Sequence, residues 1–425
     1  MDVVPTGALR ATEGPAFSPM TDAGLRPYAG RRVLLGVSGG IASYKSAWLA
    51  RLLMKAGAEV DVVLTRAATE FVGAITFEAL TGRPVHTGLF DPGHALDHIK
   101  LAKAADAIVI APATADLMAR AATGQADDLL TACLLAAEAP VLLVPAMNDR
   151  MWAHAQTQAN AEHLRTLGYA LLAPDDGVLA VGEGSGPGRM PEPETIFAHV
   201  GRLLEREGSL KGRMVLVTAG PTREPLDPVR FLSNYSSGKM GTAIAAAAWR
   251  RGADVTLVAG PLAVPVPVGV THVPVQSTTE MRDAVAARIG AADLVVMSAA
   301  PADYQPATLA PGKLKKTGGD RTLELRETPD ILASTRDARK PGAVVVGFAL
   351  ETDDLLANAR RKLEGKGLDM VVLNAANEPG AGFGVDTNRV TIVRSGSEPE
   401  QLSLMSKREV AEEILDRVEA LIGGR

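Results

Sequence analysis

Short apolar runs alternate with helix-like segments along the chain. Residues 31–37 (RRVLLGV) form an apolar run, residues 41–56 have helical character, and residues 58–64 form a second apolar run. This alternation is typical of a β-α-β unit. Residues 107–110 (AIVI) and 141–144 (VLLV) continue the pattern. The first half of the chain is therefore predicted to form a parallel, doubly wound sheet.

A second strand-then-glycine pattern, MVLVTAGPT, starts just after Lys211. The halves also echo each other, because MKAGAEVDVVLT resembles WRRGADVTLVAG and AADAIVIAPATAD resembles AADLVVMSAAPAD. We expect two doubly wound, Rossmann-like α/β domains with ligand loops at the carboxyl ends of their strands. The predicted division is a disordered extension at 1–30, a first domain at 31–205 and a second at 206–425.

Composition narrows the class of protein. The 425 residues are 47% hydrophobic with a net charge of -5, so no basic field is expected to hold nucleic acid. Cys133 is the only cysteine and cannot form an intrachain disulfide, which fits a reducing, cytoplasmic compartment. No apolar run has the length of a membrane span, so no membrane is expected as a partner.

A glycine-rich loop follows the first predicted strand as Gly36-Val37-Ser38-Gly39-Gly40. Such a loop before a helix can bind an anion through backbone N–H groups. The dinucleotide pattern fails because Ser38 and Ile41 stand where glycines are needed. The loop does match the G-x-S-x-G elbow of serine hydrolases. A nucleophilic Ser38 and a turn without ligand both remain alternatives at this point.

Four further segments accompany this loop: DHIKL at 97–101, APATAD at 111–116, PAMNDRM at 145–151 and GPGRMPEP at 186–193. In this order they resemble the family of flavin-containing cysteine decarboxylases, which implies a flavodoxin-like domain that binds FMN. The FMN-binding residues implied by the resemblance are Ser38, Gly39, Gly40, Thr65, Pro112, Ala113 and Thr114.

The same resemblance implies that His98 is catalytic and that Met147, Asn148 and Arg189 bind substrate, with Asn148 at its carboxylate. From residue type alone, a lone histidine is more often structural, Asn148 could be a turn residue and Arg189 a solvated charge. The spacing of His94 and His98 would suit a helical metal pair, but Pro92 and Gly93 favour a loop there.

One position departs from the family pattern. Decarboxylases of this type usually carry a proton-donating cysteine before GPGRM, whereas Val181 stands at that place here. Glu183 or a water could take over the proton transfer. Alternatively, the first domain could release an oxidised enethiol, or it could have a structural or regulatory role.

Residues 218–241 (TAGPTREPLDPVRFLSNYSSGKMG) resemble the ligase half of the bifunctional enzymes of coenzyme A biosynthesis. As a Walker phosphate loop the segment fails, because Ser233 replaces the first glycine and Met240 the Ser/Thr. The segments AAPADY (299–304), GKLKK (312–316), TPDIL (328–332) and VVGFALET (345–352) extend the resemblance.

The resemblance implies a CTP-dependent ligation of L-cysteine to 4′-phosphopantothenate, with Mg²⁺ or Mn²⁺, in which Asn234 and Lys313 are catalytic. The first domain would then decarboxylate the product. A homo-oligomer is also implied, trimeric through the first domain, dimeric through the second and dodecameric as a whole. The implied CTP-binding residues are Ser298, Ala299, Asp303, Lys313, Pro329, Asp330, Ile331, Leu332, Phe348, Lys362 and Lys366.

Overall fold

The computed structural model describes residues 25–90, 95–179, 182, 184–316, 318–351, 354–375 and 380–423. The first domain has eight strands: β1 Arg32–Val37, β2 Glu59–Leu64, β3 Val85–His86, β4 Ala107–Ala113, β5 Val141–Pro145, β6 Ala170–Leu171, β7 Asp175–Val178 and β8 Ser185–Arg189. Its helices are α1 Ser43–Lys55, α2 Ala74–Thr81, α3 Asp97–Ala104, α4 Ala115–Thr123, α5 Leu129–Leu135, α6 Asp149–Ala153, α7 Ala155–Thr166 and α8 Pro193–Leu204.

The first sheet has the strand order β3-β2-β1-β4-β5-β6, and all of its pairs are parallel. The predicted strands at 31–37, 58–64, 107–110 and 141–144 are all present, each within a few residues of its expected ends. Chain order reverses between β1 and β4, where doubly wound sheets bind their ligands. The carboxyl ends of these two strands therefore mark the site to examine.

The second domain is built on strands β9 Met214–Ala219, β10 Glu224–Pro225, β11 Phe231–Leu232, β12 Asp254–Ala259, β13 Thr271–Pro274, β14 Leu294–Met297, β15 Tyr304–Pro306, β16 Leu325–Glu327, β17 Val344–Glu351, β18 Met370–Ala375, β19 Thr387–Asn388, β20 Val390–Arg394, β21 Glu400–Gln401 and β22 Met405–Ser406. Its helices are α9 Lys239–Arg250, α10 Thr278–Ile289, α11 Ile331–Ser334, α12 Leu355–Gly365 and α13 Lys407–Gly423.

The second sheet has the order β13-β12-β9-β14-β17-β18-β20-β21. Its strands are parallel up to β18, and β20 and β21 add antiparallel partners at one edge. The echoing sequences occupy equivalent places, since β2 and β12 each flank the first strand of their domain on one side and β4 and β14 on the other. The doubly wound class predicted for both domains is confirmed.

Burial explains why the strands read as continuous apolar runs. Along β1, Val33, Leu35 and Val37 pack into one hydrophobic cluster, and Leu34 packs into a different cluster on the opposite face. Both faces of the sheet are covered by helices, so polar residues are excluded from either side. Each buried side chain of this size contributes about 1.5–3 kcal/mol relative to leaving it exposed.

The end of the predicted 1–30 extension belongs to the fold instead. Residues 1–24 lie outside the described part of the chain, but Tyr28 is buried, and its ring lies 5.3 Å from that of Phe197 on α8. Its backbone N–H donates to Ala56 O at 2.9 Å. The prediction was wrong for residues 25–30, because one aromatic residue in a Pro- and Gly-rich segment produces no periodicity.

The two domains meet where α8 packs on α9. The Arg202 guanidinium lies 4.8 Å from the Trp249 ring centroid and donates to Ala253 O at 2.9 Å. Glu205 forms an ion pair with Arg250, which also binds Glu412 of α13 at 2.6 Å. The α9 helix is thereby attached to the first domain at its carboxyl end. Within the described residues, no helix is both long enough and apolar enough to span a membrane.

Candidate active sites

The Ser38 hydroxyl ties together the loops that follow β1 and β4. Its Oγ donates to Pro112 O at 2.8 Å and accepts from the Thr114 N–H at 3.1 Å. Ser38 is only 2% exposed, and no histidine lies among its hydrogen-bond partners in the described residues. A catalytic serine needs an accessible hydroxyl beside a general base. This geometry argues against the serine-hydrolase alternative.

Gly39 stands where the loop presses against the segment after β2. A Cβ at this position would lie 2.4 Å from Ala67 Cβ and 2.8 Å from Ala67 O, too close for any side chain. Thr65 is buried beside it, and its hydroxyl accepts the Ala68 N–H at 3.2 Å. Gly40 is half-buried, and a Cβ there would contact only Thr114 Cγ2, at 3.9 Å, so the loop can bring backbone close to a ligand.

The structure brings the predicted substrate residues into one corner of the first domain. Met147 N–H donates to Gly188 O at 3.0 Å, which joins the loop after β5 to β8. Asn148 caps the short helix α6, with its Oδ1 accepting the Arg150 N–H at 3.0 Å. Arg189, on β8, forms an ion pair with Glu192. Arg189 is half-exposed, so the pair leaves part of its guanidinium open to solvent.

His98 lies on α3 in a separate pocket of about 600 Å³. Its Nδ1 is buried and has no hydrogen-bond partner within the described residues. The other lining residues are Leu89, Phe90, Ala95, Ile99, Ala126, Ala132, Leu135 and Ala136. None of the predicted FMN-binding residues lines this pocket, and Asn148 does not line it either.

Three residues named in the sequence analysis, His94, Val181 and Glu183, lie outside the described residues. Cys133 is described, and it is fully buried in the core of the first domain. Burial raises the pKa of its thiol to about 12. Cys133 therefore does not take the place of the expected proton-donating cysteine.

The second domain contains the larger pocket, of about 820 Å³. It lies at the carboxyl ends of β9, β14 and β17, the position expected for a doubly wound sheet. Of the predicted CTP-binding residues, all but Lys313 line it. Asn234 also lines the pocket and braces it, because its Nδ2 donates to Ala300 O and its Oδ1 accepts the Ser236 N–H at 2.9 Å.

A buried network supports the loop at residues 301–303. The Thr222 hydroxyl accepts the Ala302 N–H at 2.9 Å and lies 2.9 Å from the Thr278 hydroxyl. Thr278 in turn donates its N–H and its hydroxyl to Glu224, both at 2.8 Å. Thr222, Glu224 and Thr278 are all essentially inaccessible to solvent. The network fixes the loop that carries the exposed carboxylate of Asp303.

Two lysines of the predicted nucleotide site have clear partners. Lys362 Nζ donates to Phe348 O at 2.5 Å, and Lys366 Nζ forms an ion pair with Asp330 at 2.8 Å. Burial alone would raise the pKa of the Asp330 carboxyl, but the bond from Lys366 and the Ala333 N–H outweigh it and lower that pKa. The Asp330 carboxylate therefore stays charged beside the pocket.

Lys313 is exposed and is absent from the pocket lining. The next residue fixes its loop, because Leu314 N–H donates to Asp227 Oδ2 at 3.0 Å and Leu314 O accepts from Arg230 at 2.6 Å. The hydrogen bond from Arg230 also lowers the pKa of the Asp227 carboxyl far below its usual range. Lys313 is thus carried on a loop anchored between β10 and β11.

The sequence analysis missed several polar residues on the far wall of this pocket: Lys239, Asn374, Asn388 and Lys407. Asn374 and Asn388 each have a buried side-chain atom without a partner in the described residues, as does the predicted residue Ser298. Lys239 lies within the quoted segment 218–241, whereas the only sequence signal for the other three was a polar residue near an apolar run. Within the described residues no cluster of His, Cys, Asp and Glu could hold a metal ion.

Two family models match the chain side by side. Residues 23–205 match the family described as Flavoprotein, and residues 210–421 match the DNA/pantothenate metabolism flavoprotein C-terminal domain. The matched segments flank the predicted domain boundary and coincide with the two sheets.

The chain is also similar over most of its length to proteins described as "Coenzyme A biosynthesis bifunctional protein CoaBC". The relative from Vibrio vulnificus (strain CMCP6) is 46% identical over 403 residues, which cover 94% of this chain and 100% of the relative. That from Mycolicibacterium smegmatis is 47% identical over 409 residues, covering 93% and 98%. The protein of Bacillus subtilis (strain 168) is 45% identical over 396 residues, covering 92% and 97%.

Proposed function

Because the chain belongs to the family of coenzyme A biosynthesis bifunctional proteins, we propose two linked reactions for it. The second domain uses CTP to join L-cysteine to 4′-phosphopantothenate, and the first domain uses FMN to decarboxylate the resulting phosphopantothenoylcysteine to 4′-phosphopantetheine. The observation that carries the proposal is the 820 Å³ pocket at the switch point of the second sheet, lined by ten polar and apolar residues of the expected nucleotide site.

In the proposed ligation, the carboxylate of 4′-phosphopantothenate attacks the α-phosphorus of CTP and pyrophosphate leaves. The cysteine amine then attacks the acyl carbon, and CMP departs as the amide forms. Negative charge accumulates on phosphate oxygens, so Lys362 and Lys366 on one wall are suited to stabilise it. Asn234, held by Ala300 O and the Ser236 N–H, is placed to orient the acyl-cytidylate.

A divalent cation would accompany CTP in this scheme. Mg²⁺ usually keeps several waters and binds through substrate phosphates with one or two carboxylates. Asp303, Glu327 and Asp330 are the carboxylates that the pocket offers. Lys313 does not line the pocket, so its exposed side chain would have to extend from the anchored loop to contact the nucleotide.

The first domain fits FMN at the carboxyl ends of β1 and β4. Gly39 lets the loop after β1 pack directly against Ala67, and Ser38 holds the loops after β1 and β4 together. Ser38, Gly39, Gly40, Thr65, Pro112, Ala113 and Thr114 would hold the cofactor. Bound FMN would supply a two-electron acceptor for the cysteine thiol, which makes loss of carbon dioxide possible. Asn148 and Arg189 would hold the substrate's carboxylate and phosphate.

A second candidate function rests on Val181. Valine has no exchangeable proton, so the chain could combine an active ligase with a decarboxylase domain that is impaired, oxidative or regulatory. The two candidates differ in the thiol product that accumulates.

Mass spectrometry distinguishes them. The purified protein is incubated with FMN, CTP, Mg²⁺, L-cysteine and 4′-phosphopantothenate, in parallel with a Val181→Cys variant. We expect 4′-phosphopantetheine from the wild type. Accumulation of phosphopantothenoylcysteine or an oxidised enethiol, relieved in the variant, would support the second candidate. Failure to form phosphopantothenoylcysteine at all would overturn the ligase assignment.

We also propose that the protein is cytoplasmic and forms a homo-oligomer, trimeric through the first domain, dimeric through the second and dodecameric overall. The apolar surface around His98 supports the trimer, because Phe90, Leu96, Ile99 and Leu135 are 89%, 61%, 45% and 64% exposed. A second copy over this surface would bring new groups to the unpartnered His98 Nδ1. Light scattering of the wild type and of Leu135→Glu tests the proposed trimer. A wild-type mass equal to that of one chain would contradict it.

A further inference from the structure

One corner of the second-domain pocket is formed by residues to which no role has yet been given. Lys239 begins α9, Asn388 lies on β19, and Lys407 begins α13. All three line the pocket. We refer to these three residues as the α9–α13 corner.

Asn388 presents an unused donor in this corner. The residue is completely buried, and its Nδ2 has no hydrogen-bond partner within the described residues. Its Oδ1 is oriented toward the Gly382 N–H, at 3.4 Å. Buried donors without a partner are rare in folded proteins and call for an explanation. A ligand atom that accepts a hydrogen bond at this point would supply one.

Lys407 adds a buried positive charge beside that donor. It is 6% exposed, and its Nζ donates to Gly382 O at 2.9 Å. No carboxylate pairs with it within the described residues; the nearby Asp386 is instead paired with Lys239 at 2.7 Å. An ammonium group with only a neutral carbonyl as its partner favours an anionic ligand.

The start of α9 contributes to the same corner. Gly238 precedes the helix in a left-handed conformation, and Lys239, Met240 and Gly241 line the pocket. The first-turn N–H groups of a helix lack intrahelical acceptors and carry a partial positive charge. In this twelve-residue helix they face the same space as Asn388 and Lys407.

We infer that the α9–α13 corner binds a phosphoryl group of a substrate, with Asn388 Nδ2 and Lys407 Nζ as direct ligands. The inference rests on the function proposed for the second domain and adds residues to that site. A neutral base such as cytosine would leave the Lys407 charge uncompensated, whereas a phosphoryl group uses the charge and the donor together. Either the polyphosphate of CTP or the phosphate ester of 4′-phosphopantothenate has this chemistry.

Asn388→Asp is the sharpest test, because it keeps the side-chain shape and the Oδ1 acceptor but replaces the inward donor with a carboxylate oxygen. Asn160→Asp is the matched control, since it adds the same charge on α7 of the first domain, outside the pocket lining. A third variant, Lys407→Met, removes the ammonium. Isothermal titration of the full chain gives the affinity for Mg-CTP, CMP and 4′-phosphopantothenate, and thermal melting verifies that each variant is folded.

We expect Asn388→Asp to weaken binding of one phosphorylated ligand at least tenfold, about 1.4 kcal/mol, with Lys407→Met acting in the same direction and the control unchanged. Loss for CTP but not CMP assigns the corner to the polyphosphate. Loss for 4′-phosphopantothenate alone assigns it to that ester. Unchanged affinities, or an equal loss for all three ligands, would overturn the inference. If the wild type bound none of the ligands, the proposed function itself would fail.

Discussion

The hydroxyl of Ser38 joins the two loops that are proposed to hold FMN, and its removal has a calculable effect. Ser38→Ala eliminates the hydroxyl's bonds to Pro112 O and from the Thr114 N–H. The bond from the backbone N–H of residue 38 to Pro112 O, at 3.3 Å, remains. A typical hydrogen bond contributes about 0.5–1.5 kcal/mol net, so the two together contribute about 1–3 kcal/mol. For a domain of this size, each kcal/mol corresponds to about 2–4 °C in Tm. We expect a lower Tm and, because the loops lose two of their connecting hydrogen bonds, about tenfold weaker FMN binding.

Fluorescence quenching of FMN on titration with apoprotein measures the affinity, and thermal melting measures the stability. Thr81→Val is a matched control, because Thr81 is also buried but lies outside the flavin loops. Its hydroxyl donates to Phe77 O at 2.9 Å and accepts from the Arg83 N–H at 3.2 Å. The control should lose stability without losing flavin affinity. If Ser38→Ala lowers Tm but binds FMN as tightly as the control, the tie does not organise the cofactor site.

Three other outcomes follow from the second domain. Burial and the neighbouring Lys239 lower the pKa of Lys407 to about 8, against the opposing effect of Asp386. A bound phosphoryl group raises this pKa again, so binding of whichever ligand supplies it, CTP or 4′-phosphopantothenate, should take up protons and weaken above pH 8. Calorimetry at pH 9 in buffers of different ionisation enthalpy measures this uptake, and an uptake unchanged in Lys407→Arg would contradict it. Gly241→Ala places a Cβ 2.6 Å from Ala219 Cβ, which should lower the free energy of unfolding in urea by about 1–3 kcal/mol. Gly365→Ala, where a Cβ has nothing within 4 Å, should not lower it. Equal effects of the two substitutions would refute the packing argument. Thr222→Val leaves the Ala302 N–H without its acceptor, which should raise the KM for CTP and cost about 1–3 kcal/mol of stability. Thr222→Ser should retain the wild-type KM and stability. A normal KM in the valine variant would show that the 301–303 loop does not depend on this network.

The sequence predicted the two sheets well because their strands are continuous apolar runs joined by helices of ordinary length. The similarity between the two halves of the sequence is also present in the fold, because β2 and β12 have equivalent neighbours, as do β4 and β14. The resemblance named Ser298 and Phe348, and they share one pocket because the carboxyl ends of the parallel strands β14 and β17 meet at one edge.

Contacts between distant segments could not be predicted in this way. Asn388 and Lys407 reach the pocket from strands and a helix that follow the parallel sheet, and a lone asparagine or lysine has no periodic signal. Tyr28 was missed for the same reason. Motif matching also gives no position for a side chain within a loop, so it could not show that Lys313 is exposed while its neighbour Leu314 is anchored by Asp227.

The attachment of α9 to the first domain affects any experiment on the isolated domains. Its first turn lines the second-domain pocket, while Arg202 and Glu205 of the first domain bind residues at its last turn and just beyond. A ligase fragment that begins at residue 206 would therefore lack Arg202 and Glu205, which bind the carboxyl end of α9. Moving the cut upstream does not help, because Ile196 and Val200 of α8 belong to the core of the first domain. Kinetic constants from separated halves would describe an α9 helix held at its carboxyl end by α13 alone, through ion pairs such as Arg250 with Glu412. Only the intact chain adds the contacts from the first domain.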